Sequence, residues 1–238
     1  MRIIGWNCQG GFRGKTEKIL ALNPDIVVVP ECENEEKLKF GSLTPKPNDF
    51  IWYGDTPHKG IGIFSYSDCK LELLEAYNPN FKYILPIRVT REHSSFILLA
   101  IWTIPNKDNK EAKYIGQVKL AIDYYSDILQ NNNTVIIGDF NSNKTLDKNN
   151  RVGTHMDVVT KLKEKKILSL YHEITGQEQG DEETPTFFWR RNTQDPFHLD
   201  YCFVSNKVLD NGFSFTVGNA DDWLSVSDHM PIIADIHI

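Results

Sequence analysis

Asp139 and Asn141 stand two residues apart, immediately past the apolar run Val135-Ile136-Ile137-Gly138. That run has strand length and β-branched composition and stops at a Gly/Asn/Ser cluster, so it reads as a short buried strand. Side chains just beyond the C-terminal end of such a strand occupy the place where open α/β sheets hold their ligands. Alternate residues leaving a strand point to the same side, so both are expected to face one site. Turn chemistry is the simpler explanation for one such segment, because Asp, Asn and Ser bond their own backbone in loops. But the pattern recurs. Asn7 and Gln9 follow Ile3-Ile4-Gly5-Trp6, and Glu31 follows Ile26–Pro30. His198 and Asp200 border the run Leu199–Val204, and Ser227-Asp228-His229 precede Ile232–Ile236. Polar residues that each border a strand are what a β core needs to gather at one edge.

The residue types suggest a chemistry. Glu31 and Asp228, with an amide oxygen such as that of Gln9, are hard donors that suit Mg²⁺ or Mn²⁺ rather than zinc or copper. An ion held by one or two carboxylates keeps positions open for a phosphate oxygen and neutralises charge developing there. Asn7 and Asn141 can donate hydrogen bonds to phosphate, which an ionised carboxylate cannot do. A His paired with an Asp has its tautomer fixed and its basicity raised, and His229 with Asp200 is the natural pair.

These residues need elements to position them. The 238-residue chain is 40% hydrophobic and 24% charged, an ordinary globular composition with enough length for a substantial core. A formal charge of −6 argues against a protein held to nucleic acid by overall charge, and leaves a local basic groove open. Strands are expected at residues 2–8 and 25–30. The stretch 50–103 alternates apolar runs with turns and reads as an antiparallel portion. Ile115, Val118, Ile122, Tyr125 and Leu129 form one apolar stripe on a helix near 111–130. Shorter helices are expected at Thr16–Leu22 and at His155–Lys166, the latter with Met156, Val159 and Leu162 inward. More strands follow at Thr186–Trp189, Leu199–Val204, Gly212–Val217 and Ile232–Ile236, and the acidic Gln177–Glu183 run reads as an exposed loop. Two packed sheets with helices outside, in a single domain over 1–238, accommodate this order. The four cysteines (Cys8, Cys32, Cys69, Cys202) show no metal spacing. A reduced, cytoplasmic chain with no signal peptide and no membrane span is therefore expected.

Taken together, Trp6-Asn7-Cys8-Gln9-Gly10, Pro30-Glu31, Gly138-Asp139-Phe140-Asn141, His198-Leu199-Asp200-Tyr201 and Ser227-Asp228-His229-Met230-Pro231 resemble an ordered motif set. It is that of the endonuclease/exonuclease/phosphatase superfamily, which includes DNase I, exonuclease III, AP endonucleases, inositol polyphosphate phosphatases and neutral sphingomyelinases. The resemblance runs from residue 6 to residue 231. It implies a four-layered α/β sandwich, two packed mixed sheets flanked by helices, and divalent-metal-dependent cleavage of a phosphoester by an activated water. By motif position it makes Glu31 the principal metal ligand, with Asn7, Gln9 and Asp228 around the metal and phosphate. Asp139 handles the attacking water or the leaving group, Asn141 binds phosphate, and His229 with Asp200 forms the His–Asp dyad. Three positions depart from the pattern, the first being Gln9, which stands where AP endonucleases commonly carry an Asp. Thr103 stands where a Tyr or His commonly lies, and His198 where an Arg often precedes the Leu-Asp pair; His198 is carried as a candidate catalytic group and Thr103 as a substrate contact.

Other features have plainer readings. Trp223 either lines the pocket, which makes it a candidate substrate contact, or packs under the loop before Ser227. Phe187-Phe188-Trp189-Arg190-Arg191 reads as an amphipathic strand with an arginine-rich turn in preference to a single-stranded nucleic-acid site. The Lys144–Arg151 loop reads as solvated, and His155 and His172 as structural or exposed. The expectation is thus a monomeric Mg²⁺- or Mn²⁺-dependent phosphodiesterase, a nuclease first. A phosphatase acting on a phosphorylated lipid, sugar or nucleotide is the alternative, and a catalytically silent binding module of the same fold is the third.

Overall fold

The computed structural model describes residues 1–106, 113–148 and 153–238. The strands in chain order are β1 (Arg2–Gly5), β2 (Ile26–Cys32), β3 (Asp49–Thr56), β4 (Lys59–Ser65), β5 (Lys70–Leu73), β6 (Ile84–Arg91) and β7 (Ser94–Trp102). There follow β8 (Thr134–Asp139), β9 (Ile167–Ser169), β10 (Phe187–Phe188), β11 (Pro196–Phe197), β12 (Asp200–Ser205), β13 (Phe213–Val217) and β14 (Ile232–Ile236). One sheet has the order β13-β14-β1-β2-β4-β3 and the other β5-β6-β7-β8-β12-β9, with β10 and β11 forming a separate ribbon.

The period of two along each central strand explains why the sheets stack with helices outside. In β1 and β2, Ile3, Ile26 and Val28 enter the core between the sheets, while Ile4, Val27 and Val29 enter a second core on the outer face. In β8 and β12, Val135, Ile137, Cys202 and Val204 point between the sheets, and Ile136, Tyr201 and Phe203 point outward to the helices. Strands buried on both faces read as continuous apolar runs. Each fully buried Val or Ile contributes roughly 1.5–3 kcal/mol. The result is a four-layered α/β sandwich.

The apolar stripe over 115–129 holds, whereas the phase of the second helix and the helical ends differ from expectation. Ile115, Val118, Ile122, Tyr125 and Leu129 are all buried, but they lie on two helices, Ile115–Tyr124 and Ser126–Asn131, that break at Tyr125. Residues 111–112 of the expected helix lie outside the described residues, as does Arg151 of the Lys144–Arg151 loop. The helix His155–Glu164 starts from a capping box between Thr154 and Asp157. That start turns His155, Val158 and Leu162 inward and leaves Met156 and Val159 half-buried, correcting the expected face. The first helix ends at Leu20, two residues early. The Gln177–Glu183 run is not simply an exposed loop. Glu182 has a side chain only 2% exposed, and it accepts from Asn143 Nδ2 at 2.9 Å and bonds His172 Nε2 at 3.1 Å. Among the described residues no helix is long and apolar enough to cross a membrane.

Candidate active site

Strand direction brings the polar ends together. β1 and β2 run parallel, so Asn7, Gln9 and Glu31 leave the first sheet at one edge. β7 and β8 also run parallel, with Trp102 beside Asp139. β12 is antiparallel to β8 and begins where β8 ends, which sets Asp200 directly opposite Asp139. His229 enters from the segment before β14 and is bridged to Phe187. Two bonds fix Asn7 at this edge, the first of them joining the two sheets. Asn7 Nδ2 donates to Asp139 Oδ2 at 2.9 Å, and Ser227 Oγ donates to the Asn7 carbonyl at 2.7 Å.

At the centre, Asp139, Asp200 and His229 hold their ligand atoms within 4.8 Å of one another. His229 Nδ1 lies 2.8 Å from Asp200 Oδ2, and Nε2 lies 3.9 Å from Asp139 Oδ2. An ionised carboxylate only accepts, so Nδ1 carries the proton toward Asp200. Thr186 Oγ1 donates to the same Asp200 oxygen at 2.7 Å and accepts from the Leu199 and Asp200 amides. Burial, with Asp200 adding to it, pushes the Asp139 carboxyl up to about 7 against the pull of His229 and its hydrogen-bond donors. Burial pulls the His229 imidazole down, but Asp200 and Asp139 on either side outweigh it and lift it to about 10. An imidazole flanked by two carboxylates keeps its proton; Asp139 is the group poised to exchange one.

Asn141 reaches this centre by a route the strand argument did not foresee. Its φ is +46, so it turns back in a left-handed conformation instead of continuing the strand alternation. Its backbone amide donates to Asp139 Oδ1 at 2.8 Å. Its Nδ2 donates to Asp139 Oδ2 and to the Thr103 carbonyl, each at 3.0 Å. Both side-chain protons are therefore used, so the expected phosphate-binding role of Asn141 has no free amide proton behind it. Asn7 Nδ2 makes one such bond, which leaves it one proton to donate.

The metal-binding candidates lie beside this cluster. Asp139 and Asp200 are buried and already accept side-chain and backbone donors, whereas Glu31 and Asp228 are half-buried carboxylates beside them that could take an ion. Burial raises the Asp228 carboxyl, and Glu31 raises it further by repulsion. A pair of mutually repelling carboxylates fits a hard divalent cation. Gln9 fits less well than expected. Its Nε2 donates to Asp228 Oδ2 at 2.7 Å, and its Oε1 accepts from Arg191 at 2.6 and 3.2 Å. Guanidinium has no acceptor, so the amide oxygen must face Arg191.

Three candidates stand away from open positions. Thr103 is fully buried, and its hydroxyl donates to the Phe140 carbonyl at 2.7 Å; what it supplies is the carbonyl that anchors Asn141. Trp223 is buried edge-on against Trp6, with ring centroids 5.0 Å apart, so it packs under the loop. The structure does not bring His198 to the cluster. It is buried against Tyr171 and Tyr201, and Nδ1 bonds the Thr184 carbonyl at 2.7 Å. Thr186 and Lys59 went unnoticed in the sequence. The one signal for Thr186 was its place opening an aromatic strand next to the site. A cavity of about 620 Å³ between the helices near Met156 and His172 shares no residue with the cluster.

The sequence matches the model of the Endonuclease/Exonuclease/phosphatase family over residues 4–229, and the chain belongs to that family. Among solved structures it resembles a 3′-5′ exonuclease (NExo) from Neisseria meningitidis, with TM-score 0.64, 17% identity and full coverage of both chains. It also resembles an AP endonuclease from Archaeoglobus fulgidus, with TM-score 0.69, 16% identity and full coverage of both. The AP endonuclease LMAP from Leishmania major gives TM-score 0.70 and 13% identity over all of this chain and 88% of that one. No curated protein sequence matches this chain.

Proposed function

We propose that this chain is a Mg²⁺- or Mn²⁺-dependent phosphodiesterase of nuclease type, a single domain over 1–238. The reading is carried by the Asn7–Asp139–His229–Asp200 constellation. Glu31 and Asp228 would hold the ion, which when bound supplies positive charge at a phosphate oxygen. Asp139, with a carboxyl near neutrality, orients and deprotonates the attacking water. Asn141 fixes the Asp139 carboxylate through both its amides. The free proton of Asn7 Nδ2 and the protonated His229 ring, held by Asp200, stabilise charge on the phosphoryl oxygens. His229 is therefore the cation of the pair and Asp139 the base.

The nuclease preference is supported by the rim. Phe187 packs its ring on His229, with centroids 4.6 Å apart. Trp189 next to it is 55% exposed, with the Arg190 guanidinium 5.7 Å from its ring centroid. An exposed aromatic with a cation beside a phosphate site suits a nucleic-acid base and its backbone. One of the similar structures is a 3′ phosphatase bound to a product DNA hairpin. The four cysteines are buried and free, which suits a reducing, cytoplasmic setting.

The test is hydrolysis of an aryl phosphodiester with Mg²⁺ or Mn²⁺, followed by a panel of single-stranded DNA, abasic duplex, RNA, phosphoinositides and sphingomyelin. Turnover lost with EDTA and with Asp139→Ala is expected, with nucleic acid preferred in the panel. No turnover on any phosphoester, together with no metal binding, would return the chain to a binding module.

A further inference from the structure

Glu31 already has a cation beside it. The Lys59 ammonium lies 3.0 Å from Glu31 Oε2 and 5.5 Å from the centroid of the Trp102 ring. It therefore bridges a carboxylate of the first sheet and an indole of the second, and that indole is the register partner of Asp139. The placement is built into the backbone. Glu31 has φ +63 at an irregularity where the β2–β4 register shifts between Pro30 and Cys32. Cys32 then pairs with Gly60, which sets Lys59, the first residue of β4, next to the kinked carboxylate.

We infer that Lys59 is the internal counter-ion of Glu31 and sets the protein's affinity for its divalent cation by competing for that carboxylate. This rests on the reading of Glu31 as the residue that holds the ion. A divalent ion binding at Glu31 must displace the ammonium or sit beside it, and either lowers the net gain from binding. Lysine suits exchange: its point charge rides on a flexible stem and swings away, with none of the rigid two-point grip of arginine. The side chains are 53% and 24% exposed, so solvent screens the pair and the effect is a moderate one.

The test is titration of the full-length chain with Mn²⁺, reading free ion by electron paramagnetic resonance, so that turnover plays no part. Lys59→Met is expected to bind Mn²⁺ roughly two- to fivefold more tightly than wild type. Lys59→Arg, which keeps the charge, is expected to bind no more tightly than wild type, and Glu31→Gln about tenfold or more weakly. An unchanged or weaker affinity in Lys59→Met overturns the inference while leaving Glu31 as ligand. Full affinity in Glu31→Gln overturns it by locating the ion elsewhere. A wild-type chain that binds no Mn²⁺ removes the metal reading itself, and this inference with it.

Discussion

Asn7, at the end of the first strand, donates its side-chain amide to Asp139, at the end of the eighth, with Nδ2 and Oδ2 2.9 Å apart. The bond spans the two sheets, and Asn7 is only 3% exposed. It orients the Asp139 carboxylate, which lies 3.9 Å from the His229 imidazole, so its loss reaches chemistry before it reaches folding. Asn7→Ala is expected to lower kcat on an aryl phosphodiester about 10²–10³-fold, the usual effect of removing one oriented donor. Asn7→Asp sets a second carboxylate against Asp139 and is expected to move the rate profile to higher pH. Steady-state kinetics with a thermal melt as control separate these outcomes from unfolding.

The protonation of Asp139 and His229 gives the pH profile a sign. Asp139, raised to about 7, works as a base only once deprotonated, so kcat rises with pH through neutrality. His229, raised to about 10, supplies its charge until it loses the proton, so kcat falls again at the alkaline end. Asp200→Asn removes the nearer of the two carboxylates holding that proton. The alkaline limb is expected to move to lower pH, with kcat reduced about 10²–10⁴-fold. A wild-type rate that falls as pH rises through neutrality would reverse the two roles.

Gly138 decides whether the end of β8 can form at all. Its φ is +143, and a Cβ there would lie 2.0 Å from the Ile101 carbonyl on the neighbouring strand. Gly138→Ala is expected to destabilise by more than about 4 kcal/mol or to prevent folding. Gly10→Ala, at φ +72 with nothing within 4 Å of the added atom, is expected to cost about 1–2 kcal/mol. Denaturant unfolding of the two variants compares backbone collision with backbone strain.

Glu182 makes stability depend on acid. Burial pushes its carboxyl up, but bonds from His172, Asn143 and the Gly180 amide outweigh it and bring it from 4.5 down to about 2. A carboxylate with a depressed pKa contributes stability that is fully present above its unfolded value and disappears as pH falls through the folded one. Wild type is therefore expected to lose melting temperature between pH 4.5 and about 2, and Glu182→Gln to lose less across that window. At neutral pH the variant is expected to be less stable by about 1–3 kcal/mol, the usual worth of a hydrogen bond to a charged group. Differential scanning calorimetry across pH reads both.

Most of the strands, the helix stripe over 115–129 and the polar residues at the strand ends were legible in the amino-acid order, whereas the short strands β9 and β11 were not. Burial on both faces of a strand forces an apolar run, and burial on one face of a helix forces a period; both are local properties of the chain. Asp139 and Asn7 were legible because each sits where an apolar run stops, and Asp200 and His229 because each sits where one starts. The tertiary structure decided the rest. It made Lys59 the neighbour of Glu31 through the β2–β4 register and gave the Gln9 oxygen to Arg191. It buried His198 away from the cluster and made Glu182 a bonded carboxylate instead of a loop charge. Each of these is a pairing between side chains whose meeting depends on strand register and sheet packing. No residue's own type, nor its immediate neighbours, carries that information.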